Sequence, residues 1–222
     1  MGKTRIIAIE GIDGCGKTVQ FDLLKSRLES MGFTVATRSF PIYESFFGAQ
    51  VGKYLSNKEG VSAIDVDNKS MALWFALDRW ESFVDYKDDE TDFLLINRYV
   101  LSNAVYQSIR AGDTDIADWV LELEYEHFRL PHPDVTVVLS VTTSSASENV
   151  DKKGFRDYVG GTAKDVYESS GNIQQRAMDM YARCAQRYDD IALINCMAED
   201  RMLSIDTISD KIMAQLSERG VI

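Results

Sequence analysis

Residues Gly11 to Thr18 read G-I-D-G-C-G-K-T and satisfy the pattern G-x-x-x-x-G-K-[ST] in full. They follow the apolar run Ile6 to Ile9 and precede a stretch with helical spacing. Such a loop works only between the carboxyl end of a strand and the start of a helix, where backbone N–H groups converge on an anion. The motif therefore commits the chain to a strand–loop–helix opening and, with it, to an α/β architecture. Gly11, Ile12, Asp13, Gly14, Cys15 and Gly16 form the wrap, Lys17 reaches the terminal phosphates, and the Thr18 hydroxyl is placed to ligate Mg²⁺. The ligand expected is a nucleoside triphosphate.

The rest of the chain continues the α/β pattern. Phe21, Leu24, Leu28 and Met31 recur at steps of three and four, which predicts a helix from Lys17 to Met31 stopped by Gly32. Strand-like runs follow at Phe33 to Ser39, Phe93 to Asn97, Val135 to Val141 and Ile191 to Cys196, with separations long enough for parallel crossovers. The expected fold is a P-loop α/β domain with a five-stranded parallel sheet flanked by helices. Helices are read over Val66 to Val84, through Trp119, Leu123 and His127, and along Ile205, Ile208, Ile212 and Leu216. Thr142 to Ala163 lacks apolar periodicity and is rich in Ser, Thr, Gly, Lys and Asp, so a loop or small lid is expected there. At 222 residues the chain suits one domain, 1–222, carrying a mobile lid at about 142–168.

Charge narrows the partners. With 24 basic and 35 acidic side chains and a net charge of −11, a nucleic-acid partner is disfavoured. Three cysteines, Cys15, Cys184 and Cys196, form no C-x-x-C pair, so no disulfide framework or Zn site is expected. Cys15 reads as a small residue filling the loop. No apolar span of membrane length occurs, and the expected setting is cytoplasmic, without membrane contact.

A phosphate loop alone leaves kinases, ATPases and nucleotide switches open. The polar clusters after strand ends discriminate, because ligands of parallel α/β sheets gather there. Phe40-Pro41-Ile42-Tyr43 and Asn97-Arg98-Tyr99 each follow a strand. Phe75 and Arg79 stand four apart on a helix and share a face, so a ring and a guanidinium can meet one small ligand. Taken alone, that pair reads equally as a core Phe beside a surface Arg.

With these motifs in order, the chain resembles the thymidylate kinases, nucleoside monophosphate kinases of the P-loop class. The resemblance rests on I-E-G-I-D-G-C-G-K-T at Ile9 to Thr18, S-F-P-I-Y at Ser39 to Tyr43 and F-A-L-D-R at Phe75 to Arg79. It continues through R-Y-V-L-S-N-A-V-Y at Arg98 to Tyr106, L-P-H-P-D at Leu130 to Asp134, K-D-V-Y-E at Lys164 to Glu168, and Q-Q-R at Gln174 to Arg176. It implies transfer of a phosphoryl group from ATP, with Mg²⁺, to dTMP. It further implies that Phe75 stacks on thymine, that Arg79 and Asn103 bond the base edge, and that Arg98 and Tyr43 hold the acceptor phosphate. Tyr106 would lie beneath the deoxyribose, Phe40 and Tyr167 would line the same site, and Asp13 would face the sugar 3′-hydroxyl and the metal. Glu168 would join Asp13 and Thr18 at the metal. Relatives are homodimers, for which Met71, Leu73, Trp74 and Trp80 offer an apolar surface. In this family an extra cation comes from the loop or from the lid. Gly14 stands where the loop arginine would be, so the resemblance assigns the role to Lys152, Lys153, Arg156 or Lys164, with Arg156 preferred for its planar fork.

Two positions depart from the family pattern. Asn97 replaces an aspartate before the Arg-Tyr pair, and Ile42 occupies a position often charged. Besides dTMP kinase, the readings these departures leave open are a kinase of another deoxynucleoside monophosphate, a nucleotide-gated switch, and a degenerate member that binds without transferring. An amide keeps an acceptor at the length of the missing carboxylate, although it cannot offset metal charge. Asn97→Asp is accordingly expected to change dTMP-dependent turnover by less than about a hundredfold, read in a coupled ADP assay.

Overall fold

Arg5–Glu10 forms the central strand, β1, whose Ile6, Ile7, Ala8 and Ile9 are all buried. The computed structural model describes residues 3–57, 60–153 and 171–222. β1 pairs in parallel with β3 (Phe93–Asn97) on one side and with β4 (Val135–Ser140) on the other. β2 (Val35–Ser39) extends the sheet beyond β3, and β5 (Ile191–Asn195) extends it beyond β4, giving the order β2-β3-β1-β4-β5. The five strands expected from sequence are thus all present and parallel. Near-continuous apolar runs such as Phe93-Leu94-Leu95-Ile96 follow from this topology, since helices cover both faces.

The helices are α1 (Lys17–Ser30), α2 (Phe46–Ser56), α3 (Asn68–Phe83), α4 (Val100–Ala111), α5 (Asp115–Leu121), α6 (Thr143–Lys153), α7 (Gly171–Arg187) and α8 (Ile205–Glu218). A short antiparallel hairpin, β6 (Met197–Ala198) with β7 (Arg201–Met202), precedes α8. Phe21, Leu24 and Leu28 of α1 are buried as their spacing requires, whereas Met31 falls just past the helix and is exposed. Gly32 follows with φ +92°, a left-handed stop that a side chain would resist.

One expectation needs correction. The reading of Thr142 to Ala163 is a loop or small lid, and its first part, Thr143–Lys153, is a helix and not a loop. Its apolar edge is only Ala146 and Val150, four residues apart, so little periodicity was visible, and the Thr142 carbonyl accepts from Ala146 N at 3.0 Å to start the turn. Residues 154–163 of that segment lie outside the described residues. The helix read through Trp119, Leu123 and His127 is present. Its buried face is Ile116, Ala117, Val120 and Glu124, while His127 is exposed. After α5 the backbone widens into a π-helical turn, Glu122–His127, with Phe128 N bonding Leu123 O at 2.9 Å. Glu124, four residues after buried Val120, continues that buried face as a carboxylate.

Leu95 sits fully buried in β3 between β1 and β2. Leu95→Ala is expected to lower unfolding free energy by about 3 kcal/mol, measured by urea denaturation followed by far-UV circular dichroism.

Candidate active site

The loop leaving β1 turns on three positive φ angles, +137° at Gly11, +81° at Gly14 and +94° at Gly16. Two of these glycines also lie too close to their neighbours for a side chain. A Cβ at Gly11 would stand 2.8 Å from Cys15 Sγ, and one at Gly14 would stand 2.0 Å from the Ala146 carbonyl of α6. Cys15 is fully buried in this turn, as its packing role requires. Lys17 folds back so that its Nζ donates to Gly11 O and Ile12 O, both at 2.8 Å. Burial, with the positive charge of Arg98 next, lowers the Lys17 pKa below the usual lysine range. Thr18 is exposed on the first turn of α1.

A second group comes from the end of β3. Arg98 adopts φ +60°, a left-handed conformation rare for a non-glycine residue, and its N–H donates to Ile9 O of β1 at 3.0 Å. That turn delivers the guanidinium to the phosphate loop, where it pairs with Asp13, and its Cζ lies 6.0 Å from the centre of the Tyr106 ring. Burial works against the charge of Arg98, but Asp13 and then the nearby tyrosines outweigh it, so the pKa rises well above the ordinary value. Asp13 also lies 3.9 Å from Lys17 Nζ. Asp13, Lys17, Arg98 and Tyr106 thus meet at the carboxyl ends of β1 and β3.

Asn97 faces sideways along the sheet, its Nδ2 donating to Ser39 Oγ of β2 at 2.9 Å. Its buried Oδ1 accepts from no group among the described residues. From Ser39 the chain enters the turn that carries Phe40 and Tyr43. Phe40 is buried among aromatics, 6.3 Å between ring centres from Phe83 and 6.2 Å from Tyr99. Tyr43 is half-buried, with its ring against Gly52, where a Cβ would come within 2.9 Å of Cδ1. Asp78 pins this turn. It is fully buried, accepts from Ile42 N at 3.2 Å and takes the Ser45 hydroxyl at 3.2 Å. Burial raises the Asp78 pKa above the carboxylate norm, against the pull of Arg79.

The third group lies between α3 and α4. Arg79 and Glu124 are buried together in a two-armed pair, Nε to Oε2 at 2.5 Å and Nη2 to Oε1 at 2.6 Å. Asn103 joins them, its Nδ2 donating to Glu124 Oε1 at 2.8 Å and to Ala72 O at 3.0 Å. Phe75 is half-buried one helical turn before Arg79. Neither Glu124 nor Gln107, fully buried on α4 one turn after Asn103, stood out from sequence. The available signal was an acidic residue and an amide embedded in otherwise apolar helix faces. Of the other expected residues, Arg156, Lys164, Tyr167 and Glu168 lie outside the described residues. The backbones of Lys152 and Lys153 end α6. Among the described residues no group of three or more His, Cys, Asp or Glu side chains is arranged to hold a metal alone, and no helix is long and apolar enough to cross a membrane.

Known proteins share this fold. The family model for thymidylate kinase matches residues 9–212. The thymidylate kinases of Mycobacterium tuberculosis strains CDC 1551 / Oshkosh and ATCC 25618 / H37Rv are each 34% identical over 186 residues, covering 81% of this chain and 85% of theirs. The solved thymidylate kinase of Candida albicans superposes with a TM-score of 0.74 at 20% identity, covering 98% of this chain and 93% of that one.

The fit of α6 against the loop gives a direct test. Gly14→Ala is expected to destabilise the protein by about 2 kcal/mol or more, since it combines left-handed strain with a clash against backbone. Nucleotide affinity should fall with it, as read by isothermal titration with a non-hydrolysable ATP analogue.

Proposed function

The chain belongs to the thymidylate kinase family and phosphorylates dTMP to dTDP for dTTP synthesis; we propose that Mg-ATP is the donor and that the three groups above divide the work. The observation that carries this division is the convergence of Asp13, Lys17 and Arg98, which sets a triphosphate loop against a cation delivered from the neighbouring strand. Phosphoryl transfer asks the protein for alignment and for positive charge around the transferring group, and little covalent chemistry. Lys17 would leave the loop carbonyls for the donor phosphates. Arg98, already neutralised by Asp13, would exchange that partner for the acceptor phosphate, with Tyr43 beside it. Phe75 would stack on the base, Arg79 and Asn103 would bond its edge, Tyr106 would underlie the sugar, and Phe40 would back the pocket.

The oxygen donors present suit Mg²⁺. The Thr18 hydroxyl is accessible at the start of α1, and Asp13 supplies a carboxylate oxygen, so phosphate oxygens and water would complete six-fold coordination. Bound there, the ion would offset negative charge between phosphates. Glu168 is the further ligand in this reading. The lid cation is assigned to Arg156 within a lid at about 142–168. What supports a lid source is Gly14 itself, since the Ala146 carbonyl fills the space an arginine side chain would need there. We also propose a homodimer in the cytoplasm. Leu73, Trp80 and Val84 form an exposed apolar line on α3, while Met71, expected in that surface, is buried in the protein's own core. All three cysteines are buried free thiols, and burial pushes Cys196 up to about 12 and Cys184 to about 11.

Coupled ADP assays with Mg-ATP are expected to show turnover with dTMP well above that with dCMP, dGMP, dAMP or nucleosides; background rates with every acceptor would reject the assignment. In the same assay Phe75→Ala should raise KM for dTMP at least about tenfold, with KM for ATP within about twofold of wild type.

A further inference from the structure

Both amide hydrogens of Asn103 are committed. Each is given to an atom that can only accept, Glu124 Oε1 at 2.8 Å and the Ala72 carbonyl at 3.0 Å. The atom facing those acceptors must be nitrogen, so the orientation of this amide follows from its partners. Its other end, Oδ1, is buried and bonded to nothing among the described residues. One helical turn on, Gln107 is locked in the opposite sense. Its Oε1 accepts from Arg110 Nη1 at 2.6 Å, a group that can only donate, and its buried Nε2 has no partner among the described residues. A buried acceptor and a buried donor therefore stand four residues apart on α4, both unsatisfied, and a buried unpaired polar atom is costly unless a ligand meets it. The group complementary to such a pair is a ring N–H beside a carbonyl. Thymine and uracil present that edge, whereas cytosine presents a lone pair where the N–H should be.

We propose that Glu124 is a positioning residue for base selection: by holding Asn103 in one orientation, and the Arg79 fork with it, it fixes the pocket to bases with a ring N–H and a carbonyl. The inference rests on the dTMP reading and goes beyond it in assigning selectivity to a residue that does not touch the substrate. Glu124 lies in the π-helical turn, is fully buried, and accepts three bonds from the side chains of Arg79 and Asn103. With an amide at position 124, one of its ends becomes a donor. Facing Asn103, that donor would favour the flipped amide, with nitrogen rather than oxygen offered to the base.

The test is kcat/KM for dTMP and for dCMP in the full-length wild type and in Glu124→Gln, with melting temperature measured alongside. The expected result is a fall of at least about tenfold in the dTMP-to-dCMP ratio, carried mainly by KM. A ratio within about twofold of wild type, with both substrates slowed equally or only the melting temperature lowered, would overturn the proposal and leave Glu124 a structural residue. Glu124→Asp keeps the charge opposite Arg79 but draws it back by one methylene, and it decides in the same way if the amide variant does not fold. A wild type without dTMP turnover would instead overturn the kinase reading, so the two failures are separable.

Discussion

The carboxylate of Glu10, fully buried at the carboxyl end of the central strand, accepts from Tyr99 N at 2.7 Å, from Ser102 N at 3.1 Å, from Tyr181 OH at 3.1 Å and from the Ser102 hydroxyl. Two of these donors are orphan N–H groups at the start of α4, a place where negative charge is also favoured by the helix dipole. A third comes from α7. One side chain thus fastens the strand that launches the phosphate loop to the helix that carries Asn103 and Tyr106, and Arg98 stands between them. A buried carboxylate tolerates this position only because every bond it needs is supplied. The donor half and the acceptor half of the site are registered to each other through it.

The two buried arginines show how the same side chain serves two tasks. Arg79 is gripped by a two-armed carboxylate partner and both residues are buried, an arrangement that fixes geometry. Arg98 is held by a carboxylate in the phosphate loop and remains 21% exposed. Its partner Asp13 is 18% exposed, so this pair can open to a ligand without stranding a charge in the interior. In the proposed reading, the difference between rigid base recognition and exchangeable phosphate recognition would follow from how much water each guanidinium sees.

Much of the fold was legible in the sequence because it depends on local pattern. The phosphate loop with the apolar run before it fixed β1 and α1, and the buried runs at Phe93–Asn97 and Val135–Ser140 announced parallel strands. What the pattern missed depends on contacts distant along the chain. Glu10 lies within the recognised motif but gained a role only when Tyr99, Ser102 and Tyr181 surrounded it. Glu124 lies one residue from Leu123, which the sequence pattern favoured; it stands four residues after buried Val120, but an acid there gains an inward role only when Arg79 and Asn103 surround it. Asp78 is similar, an acid next to the conspicuous Arg79 whose task is to hold a turn 36 residues earlier in the chain. Each is a buried carboxylate, and burial of a charged residue is a tertiary fact.

Gly14 and Lys17 together show how the loop is braced. Here the Lys17 ammonium bonds the Gly11 and Ile12 carbonyls, Asn149 of α6 donates to the Gly14 carbonyl at 3.0 Å, and α6 presses Ala146 onto the space beside Gly14. The loop is braced chiefly through its carbonyls, while Asp13 N donates to Gln174 Oε1 at 3.4 Å and Cys15 N to Ile12 O at 3.3 Å. Burial lowers the Lys17 pKa, and a triphosphate would supply the counter-charge that burial withholds, so binding should favour the protonated ammonium. The same bracing excludes any side chain at position 14. In the proposed reading, a charge that this loop lacks would arrive from another element, while α6 supports the loop.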